Sequence, residues 1–149
     1  MNICIATVQA QDGPALLELA RSVDEARVYP TLSAAGRNIL AQHRQQDIEQ
    51  LFVNGLYQVL KAMLHDQIVG YIAWRDGHYI SHLYVANNFQ CRGIGTQLLN
   101  AMRQRATRFP LQLKSSLNAV GFYQHYGFYA TAGAQTIRDI RFVPMQYQP

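Results

Sequence analysis

The amino-acid sequence predicts an α/β protein whose mixed, mostly antiparallel central sheet carries helices on both faces. Short stretches rich in β-branched and aromatic residues indicate strands, and longer stretches with apolar residues every three or four positions indicate helices. The two kinds of stretch alternate along the chain, and tight-turn signals join three strands directly. With 149 residues, 49% of them hydrophobic, the chain suits a single domain over residues 1–149 and is too short for two.

The first part of the chain predicts one strand followed by two helices. Residues 3–8 are rich in β-branched side chains and indicate the strand. Asp12 is expected to cap the first helix, and Pro14 fits its first turn, where a missing N–H is tolerated. Ser33 is expected to cap the second helix, which runs to about residue 52. The buried stripe of the first helix is expected to contain Leu16, Leu19, Ala20 and Val23.

The middle of the chain predicts an antiparallel meander. Its strands are expected at 57–64, 67–74 and 79–85, and the dipeptide at 76–77, Asp-Gly, is a strong hairpin signal. A further helix is predicted to follow and to end before Pro110, with one face formed by Leu98, Leu99, Met102 and Ala106. Beyond it, the pattern predicts a strand at 111–115, a helix at 118–126, and last strands near 128–132 and 137–146.

Composition and charge narrow the possible functions. The formal net charge of +4 suits an anionic partner. The sequence contains no block of five or more like charges, so nucleic-acid binding is not favoured. Cys4 and Cys91 lack metal-ligand spacing and the histidines form no zinc motif, so we expect no metal site. The sequence shows neither a signal peptide nor a membrane-spanning segment, and two cysteines suit a reducing compartment. The expectation is a cytoplasmic protein without a membrane partner.

The segment 85–99 carries the most informative pattern, because it leads from a strand into the N-terminus of a helix. The first amides of a helix have no internal acceptors and lie at its positive end. Gly93 and Gly95 would let an anion approach the backbone, Thr96 adds a hydroxyl, and Arg92 adds charge. The pattern indicates a phosphate site, although a glycine-softened turn is the alternative. A Rossmann fingerprint lacks its third glycine here, and a Walker loop lacks its lysine.

At this point the sequence resembles a known family. The run from Gln90 to Gly95 resembles the Q/R-x-x-G-x-G/A motif of the GNAT superfamily of N-acetyltransferases. Residues 119–128, which end in Gly127-Phe128, look like a later motif of the same family, and residues 142–145 look like the ending of its small single-domain bacterial members. The order of elements agrees along essentially the whole chain. The resemblance implies the acyl-CoA N-acyltransferase fold.

The resemblance also implies that acetyl-coenzyme A is the co-substrate. In the family the pantetheine arm lies between the fourth and fifth strands, and the Val85 N–H would be a candidate oxyanion donor. Family members often carry an asparagine where this sequence has Ser116, whose hydroxyl would be a weaker substitute. The residues implied in coenzyme binding are Leu83, Tyr84, Val85, Gln90, Cys91, Arg92, Gly93, Ile94, Gly95, Thr96 and Ser116.

Tyr123 matches the family tyrosine that protonates the departing thiolate of coenzyme A. A phenol in place is sufficient for this task, since a thiolate needs only a positioned donor. The alternative interpretation is a core aromatic beside Phe122 and Phe128. The two interpretations predict different effects of removing the hydroxyl.

The general base is less clear in the sequence. His82 lies on the fourth strand and titrates in a suitable range, with Glu49 and Tyr79 as other candidates. Strand alternation is expected to place His82 on the same face as Ile80 and Tyr84. A hydrogen-bonded structural histidine is the equally weighted alternative.

The sequence therefore predicts direct transfer of an acetyl group to a primary amine of a small molecule or peptide. A non-catalytic acetyl-coenzyme A sensor is the alternative, and an enzyme acting on aminoacyl-tRNA is less favoured because the arginines are scattered. By resemblance, residues 24–55 and 129–141 shape the acceptor pocket, in a monomer or a homodimer. Carboxylates available there for a cationic amine are Asp24, Glu25, Asp47, Glu49 and Asp139.

Overall fold

The computed structural model describes residues 2–149, which fold around one open sheet of eight strands. The strands are β1 Ile3–Thr7, β2 Gln58–Leu64, β3 Gln67–Arg75, β4 Tyr79–Val85, β5 Leu111–Ser115, β6 Tyr129–Ala130, β7 Gln135–Ile137 and β8 Ile140–Tyr147. The α-helices are α1 Gly13–Val23, α2 Ala34–Gln50, α3 Ile94–Arg105 and α4 Val120–Tyr126. The order in the sheet is β1-β2-β3-β4-β5-β8-β6, and β7 pairs with β8. All pairs are antiparallel except β4 with β5, so the predicted fold class is confirmed.

Each face of the sheet packs against its own helices. The first core contains α1 and α2, which bury Leu16, Leu19, Ala20, Val23 and Ile48 against Tyr71 and Ala73 of β3. The second core contains α3 and α4, which bury Ile94, Leu98, Leu99, Met102 and Tyr123 against Ile72 and Trp74 of the same strand. Because side chains of β3 alternate between the two faces, one strand serves both cores. The predicted apolar stripe of α1 is confirmed.

Of the two predicted helix caps, one is confirmed and one needs correction. Ser33 caps α2 as expected, since its Oγ accepts from the Gly36 amide at 3.1 Å. Asp12 does not cap α1, because a 3₁₀ turn precedes that helix directly. The Asp12 carboxylate instead accepts from the Gln9 amide at 2.7 Å and from Lys61 Nζ at 2.8 Å. Asp12 therefore joins the 3₁₀ turn to strand β2, through the ion pair with Lys61.

The last predicted strand is interrupted by a hairpin turn. Arg138 and Asp139 have φ angles of 52° and 65°, so the chain reverses there and separates β7 from β8. Two consecutive residues in the left-handed region match the twist of a two-residue hairpin. The Asp139 carbonyl packs against Gly36 near the start of α2, where a side chain on residue 36 would collide with it. The hairpin thereby reaches the helices on the first face of the sheet.

No helix among residues 2–149 combines the length and the apolar character needed to cross a membrane.

Candidate functional site

The sheet has a gap where β4 and β5 diverge. These parallel strands pair only at their beginnings, where Tyr79 is opposite Gln112 and Ile80 is opposite Leu113. Beyond Ile80, β4 continues to pair with β3 on one edge, while β5 continues to pair with β8. The remainder of β4 therefore presents an unpaired edge toward the gap, and this edge is the kind of template to which an extended ligand can add as a strand.

A β-bulge in β4 decides which side chains face which side of the gap. Ala73 pairs with His82 but Trp74 pairs with Ile80, so Ser81 has no partner in β3. An extra residue reverses the alternation of side chains. Ile80 therefore packs with Trp74 in the core beside α3, whereas His82 lies on the opposite face with Ala73. The expectation that His82 and Ile80 share a face is wrong.

The N-terminus of α3 lies just beyond the end of β4. Gly93 precedes the helix with a φ of 83°, in the left-handed region that glycine adopts without strain, and Cys91 has a φ of 61°. The first amide to reach an acceptor is that of Gln97, which bonds to the Gly93 carbonyl at 3.0 Å. Within the described chain, the amides of residues 94–96 have no acceptor, and they lie at the positive end of the helix dipole. This turn can therefore bind an anion.

The glycines of the motif act differently from each other. A Cβ at Gly93 would meet open space, so this position requires glycine for its backbone conformation. A Cβ at Gly95 would come within 2.9 Å of Phe122 Cζ. Gly95 therefore allows α4 to pack closely against the first turn of α3. The sequence predicted only that Gly95 lets an anion approach the backbone, and this packing role is additional.

The structure brings most of the predicted coenzyme-binding residues to one end of the gap. Gln90 Nε2 donates to the Val85 carbonyl at 2.9 Å and so folds the loop back onto the strand end. Cys91 and Arg92 are exposed, while the Ile94 side chain is buried and leaves only its amide for a ligand. Ser116 follows β5 directly and lies on the β5 side of the gap, opposite β4. Leu83, Tyr84 and Val85 lie on the unpaired part of β4, and Gly93, Gly95 and Thr96 form the turn described above.

Tyr123 is held by its aromatic neighbours in α4 and just beyond it. Its ring packs edge-on against Phe122 and Phe128, with centroid distances of 5.2 Å and 5.3 Å. The side chain is buried, and its hydroxyl has no hydrogen-bond partner among residues 2–149. Burial raises the pKa of the phenol, so Tyr123 retains its proton at neutral pH. An uncommitted phenolic proton in a fixed position is what a proton donor requires.

His82 is also buried, on the face of α1 and α2. Its Nδ1 lies 3.0 Å from the Tyr71 hydroxyl, and the rings of Tyr71 and Tyr84 pack around it. Burial, followed by the nearby Arg44 charge, lowers the pKa of His82 to about 3. The imidazole is therefore neutral at neutral pH and is a weak base, as expected of a hydrogen-bonded structural histidine.

We expect His82 to make the protein sensitive to acid. Its pKa in the folded state lies below the ordinary value of 6.5, so the unfolded chain takes up this proton first as the pH falls. The contribution of His82 to stability is complete above pH 6.5 and declines toward pH 3, by up to ~1.4 kcal/mol per pH unit. Urea unfolding between pH 7 and pH 5 should show this slope in the wild type and a shallower slope in His82→Gln. Equal slopes would contradict the buried neutral ring.

The other two base candidates occupy different surroundings. Glu49 is exposed near the end of α2 and accepts from Gln45 at 3.3 Å. Tyr79 lies at the closed end of the gap, paired with Gln112, and the Arg75 guanidinium lies 4.4 Å from its ring centroid. Burial raises the pKa of Tyr79. Neither side chain lies on the unpaired part of β4.

Sequence reasoning missed a buried ion pair on the same face as His82. Arg44 Nε donates to Asp24 Oδ2 at 2.7 Å, and both side chains are almost fully buried. Asp24, which was expected to be available for a cationic amine, is already paired. The only signal in the sequence is that Arg44 lies four residues before the apolar Ile48, on the face of α2 that is buried.

A surface groove of about 710 Å³ lies outside the gap, between α1 and the loop that follows β4. Its lining includes Glu18 and Ser22 of α1 and residues 87–89 of the loop. Cys4 and Cys91 are free thiols, and within residues 2–149 no three His, Cys, Asp or Glu side chains cluster as a metal site would require.

Solved structures share this fold along nearly the whole chain. A GCN5-related N-acetyltransferase from Rhodopseudomonas palustris superposes with a TM-score of 0.86 at 18% identity, over 100% of this chain and 97% of its own. The PaiA N-acetyltransferase from Thermoplasma acidophilum, in complex with coenzyme A, gives 0.73 at 19% identity, over 99% and 100%. An aminoglycoside 6'-N-acetyltransferase complexed with coenzyme A gives 0.67 at 15% identity, over 98% of each chain. At these identities the likeness shows the fold.

The family follows from the sequence model that matches the chain. No relative is found among curated proteins. The model described as an acetyltransferase (GNAT) domain matches residues 24–149. The matched part contains the gap between β4 and β5, the turn at the start of α3, and Tyr123. The resemblance seen in the motif from Gln90 to Gly95 is thus confirmed, and the chain belongs to the GNAT acetyltransferase family.

Proposed function

We propose that the protein binds acetyl-coenzyme A with its diphosphate on the first turn of α3 and transfers the acetyl group to a primary amine. The observation that carries this proposal is that the unpaired amides of residues 94–96 lie at the open end of the gap beside β4. Helix N-termini bind phosphates through such amides and through the dipole. Two proteins of the same fold, PaiA and the aminoglycoside acetyltransferase, are solved in complex with coenzyme A, which supports the choice of ligand.

The pantetheine arm would lie along the unpaired edge of β4. The Ala86 amide bonds to Val69 of β3 at 2.9 Å, so by alternation the amides of Leu83 and Val85 point toward the gap. Gln90 occupies the Val85 carbonyl, and the Val85 N–H, which points toward the gap, can donate to the thioester oxygen. A fixed amide at that position would stabilise the negative charge that develops as the amine attacks.

The coenzyme and the acceptor would approach from opposite faces of the sheet. Tyr123 and the α3 turn lie on the second face, while His82 and Tyr84 lie on the first. The amine nitrogen attacks the carbonyl carbon, the C–S bond breaks, and the thiolate takes the proton of Tyr123. The phenolate of Tyr123 then regains a proton from solvent, which balances the proton that the amine has lost. The products are the amide and free coenzyme A. His82 lies on the amine side, but with a pKa of about 3 it cannot hold the proton of an alkylammonium, so we propose that the amine releases its proton to solvent.

A turnover assay across a panel of primary amines and peptides tests the proposal, with release of the coenzyme A thiol as the readout. We expect thiol release that depends on the amine and on acetyl-coenzyme A together. Tight binding of acetyl-coenzyme A without release for any amine would replace the enzyme with a non-catalytic sensor. Absence of binding would refute both functions.

A further inference from the structure

A buried polar triad joins three elements on the first face of the sheet. Asp24 begins a π-helical turn, Asp24–Val28, that extends α1, Arg44 lies on α2, and Tyr84 lies on β4. Arg44 donates to Asp24 Oδ2 at 2.7 Å and to the Tyr84 hydroxyl at 2.8 Å. The Tyr84 hydroxyl in turn donates to Asp24 Oδ1 at 2.9 Å. Both carboxylate oxygens and two arms of the guanidinium are thus engaged in a closed ring.

The triad is not needed for packing alone. Asp24 is 1% exposed and Arg44 is 7% exposed. Apolar side chains of similar volume often replace such a pair without loss of stability, whereas removing one partner is strongly destabilising. Arg44 Nη1 also lies 3.5 Å from Oδ2 of the partly exposed Asp47, so the guanidinium has a second carboxylate partner toward the surface. What the triad does is hold a turn, a helix and a strand in one fixed arrangement.

The elements it holds border the gap. Tyr84 lies between Leu83 and Val85, whose amides point toward the gap. The π-helical turn contacts the 3₁₀ turn Leu117–Ala119, which follows β5 on the opposite side of the gap from β4. The turn therefore spans the gap on the face that the acceptor would approach. π-helical turns inside helices frequently occur at functional sites.

A second link attaches the same turn to the loop beyond β4. Arg27 Nε donates to Asn87 Oδ1 at 3.1 Å, and Asn87 Nδ2 donates to the Ser22 carbonyl at 3.1 Å. Asn87 lies in the loop that leads to the α3 turn. The π-helical turn is thus connected both to strand β4, through Tyr84, and to the loop that leads to the α3 turn, through Asn87.

We propose that Asp24, Arg44 and Tyr84 are positioning residues for the acceptor amine: they fix the π-helical turn across the gap and so set the shape of the acceptor opening. The proposal rests on the acetyl transfer proposed above. It assigns the main effect of the triad to the acceptor, because the triad lies on the first face of the sheet, whereas the α3 turn and Tyr123 lie on the second. A displacement of about 1 Å in a positioning element is enough to slow such a transfer severely.

The experiment compares Arg44→Met with the double variant Asp24→Leu/Arg44→Met. The single variant leaves the Asp24 charge buried without its cation, so its melting temperature should fall. The double variant should recover most of that loss, since only the Tyr84 hydroxyl is then left without a partner. If the triad positions the acceptor, the double variant should still show a KM for the amine raised ~10-fold or more, with its Kd for acetyl-coenzyme A within ~2-fold of the wild type. Tyr84→Phe, which removes one hydroxyl, should raise the same KM without unfolding the protein.

The outcomes are separable. Recovery of the amine KM together with the melting temperature in the double variant would show that the triad is structural only and would overturn the proposal. A parallel loss of acetyl-coenzyme A affinity would overturn it too, since the effect would not be confined to the acceptor. A wild-type protein that binds acetyl-coenzyme A but acetylates no amine would refute the proposed function itself, and the triad would then have no acceptor to position.

Discussion

Replacing Tyr123 with phenylalanine is expected to lower kcat by about 100-fold or more, the usual range for loss of a positioned acid. The ring would stay in place, because Phe122 and Phe128 hold its faces and its hydroxyl bonds to nothing else in the described chain. The melting temperature and the Kd for acetyl-coenzyme A should therefore remain near wild-type values. The measurement is steady-state thiol release at saturating amine, together with thermal unfolding.

Tyr126→Phe is the matched control for this substitution. Tyr126 lies on the same helix, but its hydroxyl donates to Asn100 at 2.6 Å on the outer surface. Loss of that hydroxyl should change kcat by less than ~2-fold. If Tyr123→Phe also retained more than about half of the wild-type kcat, the proton-donor role would be wrong and Tyr123 would be a core aromatic.

Replacing Thr96 with glutamate should weaken coenzyme A binding while stabilising the folded protein. Thr96 is exposed at the third position of α3, where a carboxylate interacts favourably with the dipole, by ~0.3–1 kcal/mol. The same carboxylate would lie close to the proposed diphosphate. At about 5 Å it would cost about 2 kcal/mol of binding free energy, or a ~30-fold rise in Kd. Calorimetric titration and thermal unfolding measure the two opposite effects.

Gln104→Glu adds the same charge to the same helix near its other end. Gln104 is exposed, and it lies about two turns from Thr96. This variant should bind coenzyme A with nearly wild-type affinity and should be slightly less stable, because a negative charge near the C-terminus opposes the dipole. Equal loss of affinity in both variants would point to the overall charge of the protein as the cause. No loss of affinity in either variant would show that the diphosphate does not bind at this turn.

The parts of the site that sequence predicts well depend on local rules. The α3 turn depends on a few adjacent residues, since the first amides of any helix lack internal acceptors and Gly93 can adopt the left-handed conformation just before it. The meander followed from turn residues at 76–77 in the same way. Tyr123 was found through the resemblance of the motif around it, and its burial is consistent with either of its two predicted roles.

The parts that sequence did not predict depend on distant contacts. The bulge at Ser81 reverses the side-chain alternation of β4, and only the pairing with β3 reveals it. Arg44 forms hydrogen bonds to Asp24 and Tyr84, which lie 20 and 40 residues away in the sequence, and no local pattern indicates either partner. The packing of Phe122 on Gly95 likewise joins two helices that are separate in the sequence. A periodic pattern specifies which face of an element is apolar, but it does not specify its partner.

The central claim is that the amides at the start of α3 bind the diphosphate of coenzyme A. The most direct test is a titration of the ¹⁵N-labelled protein with coenzyme A, followed by the amide resonances. We predict that the largest shifts occur at residues 93–96, with smaller shifts along β4 at Leu83 and Val85. Shifts confined to the groove beside α1, with the amides of residues 93–96 unchanged, would contradict the account.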